Sequence, residues 1–144
     1  MVAISSCLTG IKCRYNATDN HKPLLINGIS DSYIAICPEI LGYFIIPREA
    51  CEIVGGSGED VLNRTARVID NCGVDITEQM IRGAEKALHI CLECGVTKAY
   101  LQSKSPTCGC GEIYDGSFSR TLRVGNGIFT ALLNQNGIEV IEVI

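Results

Sequence analysis

Two short runs near the start of the chain constrain the fold most. Val2 to Cys7 and Tyr33 to Cys37 are β-branched and almost continuously apolar. A strand with one wet face alternates apolar and polar residues, whereas one covered on both faces need not. Runs of this kind belong to a parallel sheet lying between layers of other structure. Lys98 to Leu101 and Glu139 to Val143 read as further strands, and Arg67 to Ile69 as a short one. Between them the period changes. From Thr77 to Cys94 a stripe of Ile81, Ala84, Leu88, Cys91 and Leu92 marks an amphipathic helix. Asp75 with Glu78 resembles a capping box at its start, and Gly95 suits its end. Gly125-Asn126-Gly127 opens a second helix, Ile128 to Asn136. Pro38 stops the second strand and suits the first turn of a short helix. Leu8 to Lys22 is polar and irregular, Gly55 to Gly58 reads as a flexible loop, and Tyr114-Asp115-Gly116 as a hairpin-like turn. Strand–helix alternation predicts one α/β domain over residues 1–144, a mostly parallel sheet flanked by helices in a Rossmann-like, three-layer arrangement.

Composition supports this and narrows the function. A chain of 144 residues, 47% hydrophobic and 19% charged, can bury one core. Its net charge of −4 argues against a nucleic-acid partner, since phosphate binding requires a basic surface. No apolar stretch approaches the roughly 18 to 20 residues of a membrane span. The start, Met1 to Cys7, lacks the basic region of an export signal. Nine cysteines are many for this length, and the count is odd. With no export signal and a core that needs no staples, a disulfide scaffold is disfavoured. The expected setting is the reducing cytoplasm, with a small-molecule partner and a monomer or homodimer. Cysteines there are buried hydrophobes, nucleophiles or metal ligands.

In open α/β sheets, ligands bind outside the carboxyl ends of the strands. The first strand ends at Cys7 and the second at Cys37-Pro38-Glu39. The third runs into Ser103-Lys104-Ser105-Pro106-Thr107-Cys108-Gly109-Cys110. Three strands thus deliver thiols to one edge. Thiolates suit iron–sulfur clusters, zinc or copper(I). Three ligands leave one position open for chemistry, and Cys13 as a fourth would close it. Glu39 is a candidate general base, or simply a carboxylate favoured at a helix N-terminus. Ser103 and Ser105 are candidate donors to a substrate. Arg14 and Arg48 are candidate anion clamps. Asn126 stands where helix-start N–H groups either bind an anion or are capped. Cys91 and Cys94 lie within the long helix and read as packing; Cys51 and Cys72 have no evident partner. His21 and His89 suggest no hydrolytic triad, and Gly55 to Gly58 lacks the residues of a phosphate-binding loop.

Several segments, taken in order, resemble a known family. They are Ser6-Cys7-Leu8-Thr9-Gly10, Cys13-Arg14-Tyr15-Asn16, Cys37-Pro38-Glu39, Pro47-Arg48, Glu52-Ile53-Val54-Gly55-Gly56, Ser105-Pro106-Thr107-Cys108-Gly109, Ile113-Tyr114-Asp115-Gly116 and the Gly125-Asn126-Gly127 helix start. Together they are similar to the small bacterial family, long catalogued as a domain of unknown function, that includes the thiouracil desulfidases. The resemblance implies a [4Fe–4S] cluster held by Cys7, Cys37 and Cys108, with one iron open to substrate. It implies non-redox removal of sulfur from a small thiolated heterocycle: the thiocarbonyl sulfur binds the open iron, water attacks the carbon, and a carbonyl product leaves. Glu39 becomes the acid/base residue and Ser105 a positioning or proton-relay residue, with Ser103, Arg14 and Asn126 toward the substrate. Such a cluster is easily lost from protein handled in air. The chain departs from the family pattern at Thr107, where serine is usual, at Glu49-Ala50-Cys51, where prolines are usual, and at Asn16-Ala17. Cys51 and Cys110 are thereby alternative ligands. The competing reading is a metal-binding or redox-sensing thiol protein without catalysis.

Overall fold

The computed structural model describes residues 1–144. In chain order its elements are β1 (Val2–Ser5), a 3₁₀ turn (Ser6–Thr9), α1 (Pro23–Gly28), β2 (Tyr33–Ile36), α2 (Pro38–Leu41), β3 (Cys51–Val54), α3 (Gly58–Leu62), β4 (Arg67–Asp70), α4 (Thr77–Glu93), β5 (Lys98–Gln102), β6 (Glu112–Tyr114), β7 (Leu122–Val124), α5 (Ile128–Gln135) and β8 (Glu139–Val143). The apolar runs pair into one parallel sheet in the order β2-β1-β5-β8, with Val2 between Tyr33 and Lys98.

Alternation along the strands divides their side chains between two cores. Ala3, Ala99 and Leu101 join Met80, Ala84 and Ala87 of α4 and Phe129 and Leu133 of α5 in the larger one. Val2 and Ile4 point the other way, onto Cys7, Leu8 and Cys13, with Leu25, Ile26 and Tyr100 around them. Long helices therefore cover one face. The 3₁₀ turn, the short α1 and the segment joining them cover the other. No helix is long and apolar enough to cross a membrane.

Helix α2 lies against α4 with almost no spacing. A Cβ on Gly83 of α4 would sit 2.1 Å from the Pro38 carbonyl oxygen, and one on Gly42 would sit 2.9 Å from the Gln79 carbonyl oxygen. Two glycines thus let backbone meet backbone. The Gln79 side-chain amide locks the contact by donating to the Gly42 carbonyl at 2.9 Å.

Several local expectations need correction. Asp75 and Glu78 form no capping box: Asp75 accepts from the Thr77 N–H at 3.0 Å and the Thr77 hydroxyl at 2.6 Å, while Glu78 pairs with Arg64. Leu92 is exposed, and Met80 and Ala87 complete the buried stripe instead. Gly55 to Gly58 is not a loose loop. Gly55 turns the chain at φ +92°, and Ser57 opens α3 in a true capping box with Asp60. The strand at Arg67 extends to Asp70 and pairs antiparallel with β3, which the sequence reading did not anticipate. The turn at Tyr114 does lie in an antiparallel hairpin, β6 with β7.

Candidate functional site

From β1 the chain crosses to β2 on one side and later to β5 on the other. The carboxyl ends of β1 and β5 therefore flank a topological switch point, where α/β sheets open a crevice. A cleft of about 730 Å³ lies there. Cys7 enters it from the 3₁₀ turn after β1. Cys37 follows β2 directly and has extended backbone, as the residue before a proline must. Cys108 comes from the loop after β5. Cys7, Cys37 and Cys108 line this one cleft, together with Cys13 and Cys51.

The loop carrying Cys108 is built by hydrogen bonds. The Ser105 hydroxyl accepts the Cys108 N–H at 2.7 Å, and Thr130 donates to the Cys108 carbonyl at 3.0 Å. The first free N–H groups of α5 are spent on the same loop: Ile128 donates to Pro106 and Phe129 to Thr107, each at 2.9 Å. The helix start therefore braces the loop and has no N–H left there for an anion. Gly127 is required at this junction, since a Cβ would meet the Thr107 carbonyl oxygen at 2.4 Å. Asn126 is corrected accordingly. Its side chain accepts the Gly111 N–H at 2.9 Å and donates to Glu59 at 3.0 Å, away from the cleft.

Cys13 arrives from the segment that covers the second face of the sheet. Asn20 and Lys22 donate backbone bonds to Cys7 and Leu8, each at 2.9 Å, and fold that segment back over the 3₁₀ turn. The Cys13 thiol thereby comes into hydrogen-bonding contact with those of Cys7 and Cys37. The bond with Cys37 lowers its pKa, while the bond with Cys7 and burial raise it, leaving it at about 11. Cys37 is pushed up by the Cys13 hydrogen bond and by burial. Cys108 is pushed up by burial and by Cys37, against a hydrogen bond from Ser5. These thiols resist ionising without a cation beside them, which is the charge a bound metal group supplies.

The donor set fits an iron–sulfur cluster. Five thiols line the cleft, from Cys7, Cys13, Cys37, Cys51 and Cys108, and no imidazole does. His89 is exposed beside Glu93. No group of three or more His, Cys, Asp or Glu is arranged to clasp a single metal ion. Soft ligands spread over a cleft suit a multi-iron group better than one zinc.

Beside the thiols stands a largely buried ion pair. Glu39, in the first turn of α2, accepts from Arg48 and, at 3.1 Å, from the Thr107 hydroxyl. Arg48 also donates to the Cys13 carbonyl at 3.2 Å. The side chains of Arg48 and Glu39 are only 10% and 18% exposed. Such a pair persists only when further hydrogen bonds hold both partners, as they do here. Thr107, which the sequence offered only as a departure from the family pattern, thus belongs to the site.

The remaining candidates divide. Ser103 lines the cleft and accepts from the Gln102 amide at 3.3 Å. Arg14 also lines it, donating to Thr18 at 3.2 Å with its guanidinium 5.8 Å from the Tyr15 ring centre. Tyr15, Tyr114 and Phe118 line it as well. Cys91 is buried in the core, Cys72 and Cys94 are exposed, and Cys110 lies outside the cleft.

Comparison with known proteins places the chain among relatives. The model of the 2-thiouracil desulfurase family matches residues 2–143. The uncharacterized protein YbbK of Bacillus subtilis (strain 168) is 43% identical over 143 residues, spanning 99% of this chain and 95% of that protein. Among solved structures, the [4Fe–4S]-dependent thiouracil desulfidase TudS superposes with a TM-score of 0.83 at 35% identity, covering 98% of this chain and 89% of that one.

Proposed function

The chain belongs to the 2-thiouracil desulfurase family, and from that premise we propose that it hydrolyses the C–S bond of a small thiolated heterocycle at a [4Fe–4S] cluster held by Cys7, Cys37 and Cys108. One observation carries this reading: thiols from the ends of three adjacent strands share a cleft with the held carboxylate of Glu39. When bound, the cluster supplies a soft iron with affinity for the substrate's sulfur.

The protein's own groups do the rest. The reaction exchanges sulfur for oxygen, so thiocarbonyl and water give carbonyl and hydrogen sulfide. Glu39 takes a proton from the attacking water and returns it to the departing sulfur. Arg48 and Thr107 fix the carboxylate in one orientation, which is the positioning that proton transfer requires. Ser105 accepts from the Cys108 N–H, leaving its own hydroxyl hydrogen to donate toward the substrate. Tyr15, Tyr114 and Phe118 offer flat surfaces to a planar ring. Nine unpaired cysteines suit a reducing cytoplasm.

The test uses anaerobically reconstituted protein with 2-thiouracil, following uracil and sulfide. Glu39→Gln should keep its iron and lose on the order of 10²- to 10⁴-fold in turnover. Full turnover in that variant removes Glu39 from the reaction. A loaded enzyme that desulfurates no thiolated base overturns the activity.

A further inference from the structure

Two segments with no part in holding the cluster or moving a proton meet along the cleft. Glu52 to Gly56 leaves β3, and Tyr114-Asp115-Gly116 leaves β6. Glu52, Tyr114 and Phe118 all line the cleft. One oxygen of the Glu52 carboxylate receives two backbone donors: Oε1 accepts the Gly116 N–H at 2.9 Å and the Phe118 N–H at 3.2 Å. Gly116 turns at φ +89° and lies so close to β3 that a Cβ would meet the Ile53 carbonyl oxygen at 2.5 Å. The loop closes through the Asp115 N–H, which donates to the Thr121 carbonyl at 2.9 Å.

The hairpin carrying this loop has three residues in each strand, and so short a pair is not held in one shape by its own ladder. Phe118 nevertheless keeps left-handed backbone (φ 57°), a conformation that a bulky residue adopts only where its surroundings impose it. Its ring packs into neither core and stays 37% exposed beside the cleft.

We propose that Glu52 is a positioning residue: by holding the Gly116 and Phe118 N–H groups, it presents the Phe118 ring to the flat face of the substrate's heterocycle. The inference rests on the thiolated-heterocycle reading above and deepens it by assigning recognition of the ring. Every heterocyclic base has a flat face, so stacking supplies affinity without choosing among bases. The contact holds substrate and transition state alike, so its loss raises KM and spares kcat.

The experiment compares wild type with variants at Phe118, Glu52 and Gly116, each loaded anaerobically with iron and sulfide. Uracil affinity is measured by calorimetry, and kcat and KM with 2-thiouracil. Phe118→Ala should load iron normally, bind uracil at least about fivefold more weakly and raise KM to match, the lower end of what removing a base-stacking ring costs. Phe118→Tyr keeps the ring and should match wild type; Phe118→Leu keeps only apolar bulk and should match Phe118→Ala. Glu52→Ala should show the same rise in KM, Glu52→Gln should retain wild-type values, and Glu52→Ala combined with Phe118→Ala should be no worse than either alone. Gly116→Ala pushes the loop off β3 with Glu52 intact and should also raise KM, so the seating is tested even where Glu52→Ala does not fold. Phe118→Ala that binds uracil as tightly as wild type overturns the stacking role and leaves the desulfidase reading intact. Losses that add in the combined variant, or an unchanged KM in Gly116→Ala, overturn the positioning role. Loaded wild type that binds no uracil and desulfurates no thiolated base brings down both readings.

Discussion

Replacing Gly83 by alanine sets two physical effects against each other. Gly83 lies inside α4, where alanine is favoured over glycine by roughly 1 kcal/mol. Against that, the new methyl would lie 2.1 Å from the Pro38 carbonyl oxygen, 2.9 Å from the Gly42 nitrogen and 3.0 Å from its Cα. An unstrained C···O contact is about 3.3 Å, so α2 must retreat by roughly 1 Å. Overpacking of this kind costs about 1–3 kcal/mol, which outweighs the propensity gain and leaves a net loss of about 1 kcal/mol. The larger effect is on the site, because α2 carries Glu39 and follows Cys37 directly. A displacement near 1 Å at a reacting group costs on the order of 10²-fold in rate. Urea unfolding, iron content and turnover of 2-thiouracil measure the three consequences. A variant stabilised by about 1 kcal/mol with unchanged turnover refutes the claim that α2 is seated through this contact.

Two further outcomes follow from residues outside the cleft. Cys91→Ala removes a fully buried sulfur from the larger core and should cost about 1 kcal/mol in urea unfolding with iron uptake unchanged; loss of iron would move Cys91 into the site. Asp75 has its pKa lowered by Arg67 and by both Thr77 groups, so its contribution is complete above the ordinary carboxylate pKa of about 3.9 and fades as pH falls below it. Being largely exposed, it contributes no more than about 1 kcal/mol, and Asp75→Asn should flatten the fall of the urea midpoint below about pH 4; an unchanged acid limb counts against this.

The legible parts of the molecule were those fixed by local pattern. Nearly continuous apolar runs gave β1 and β2, short stretches following the helices gave β5 and β8, and the last, Glu139 to Val143, matched to the residue. Strand ends gave the edge where Cys7, Cys37 and Cys108 meet, because each lies at a strand end or a few residues beyond it. What was not legible depends on distant pairing. β3 is four residues with one buried side chain, and only its pairing with β4 makes it a strand. The contact of Cys13 with Cys7 and Cys37 depends on a polar segment folding back through two backbone bonds. Arg48 finds Glu39 across a turn with no periodic signal. Asn126 misled because a helix start looks like an anion site until the Pro106 and Thr107 carbonyls take its N–H groups. One overlooked signal was present in the sequence: Pro23 stands at the first turn of α1, the position that proline favours.

The central claim is that thiols from three strand ends hold one cluster. Iron and acid-labile sulfide per chain, measured after anaerobic reconstitution of wild type and Cys108→Ala, test it most directly. About four irons per chain in wild type, with loss of uptake in a folded Cys108→Ala, is the predicted result. A colourless wild type that binds zinc tightly, or a Cys108→Ala that loads as much iron as wild type, contradicts it.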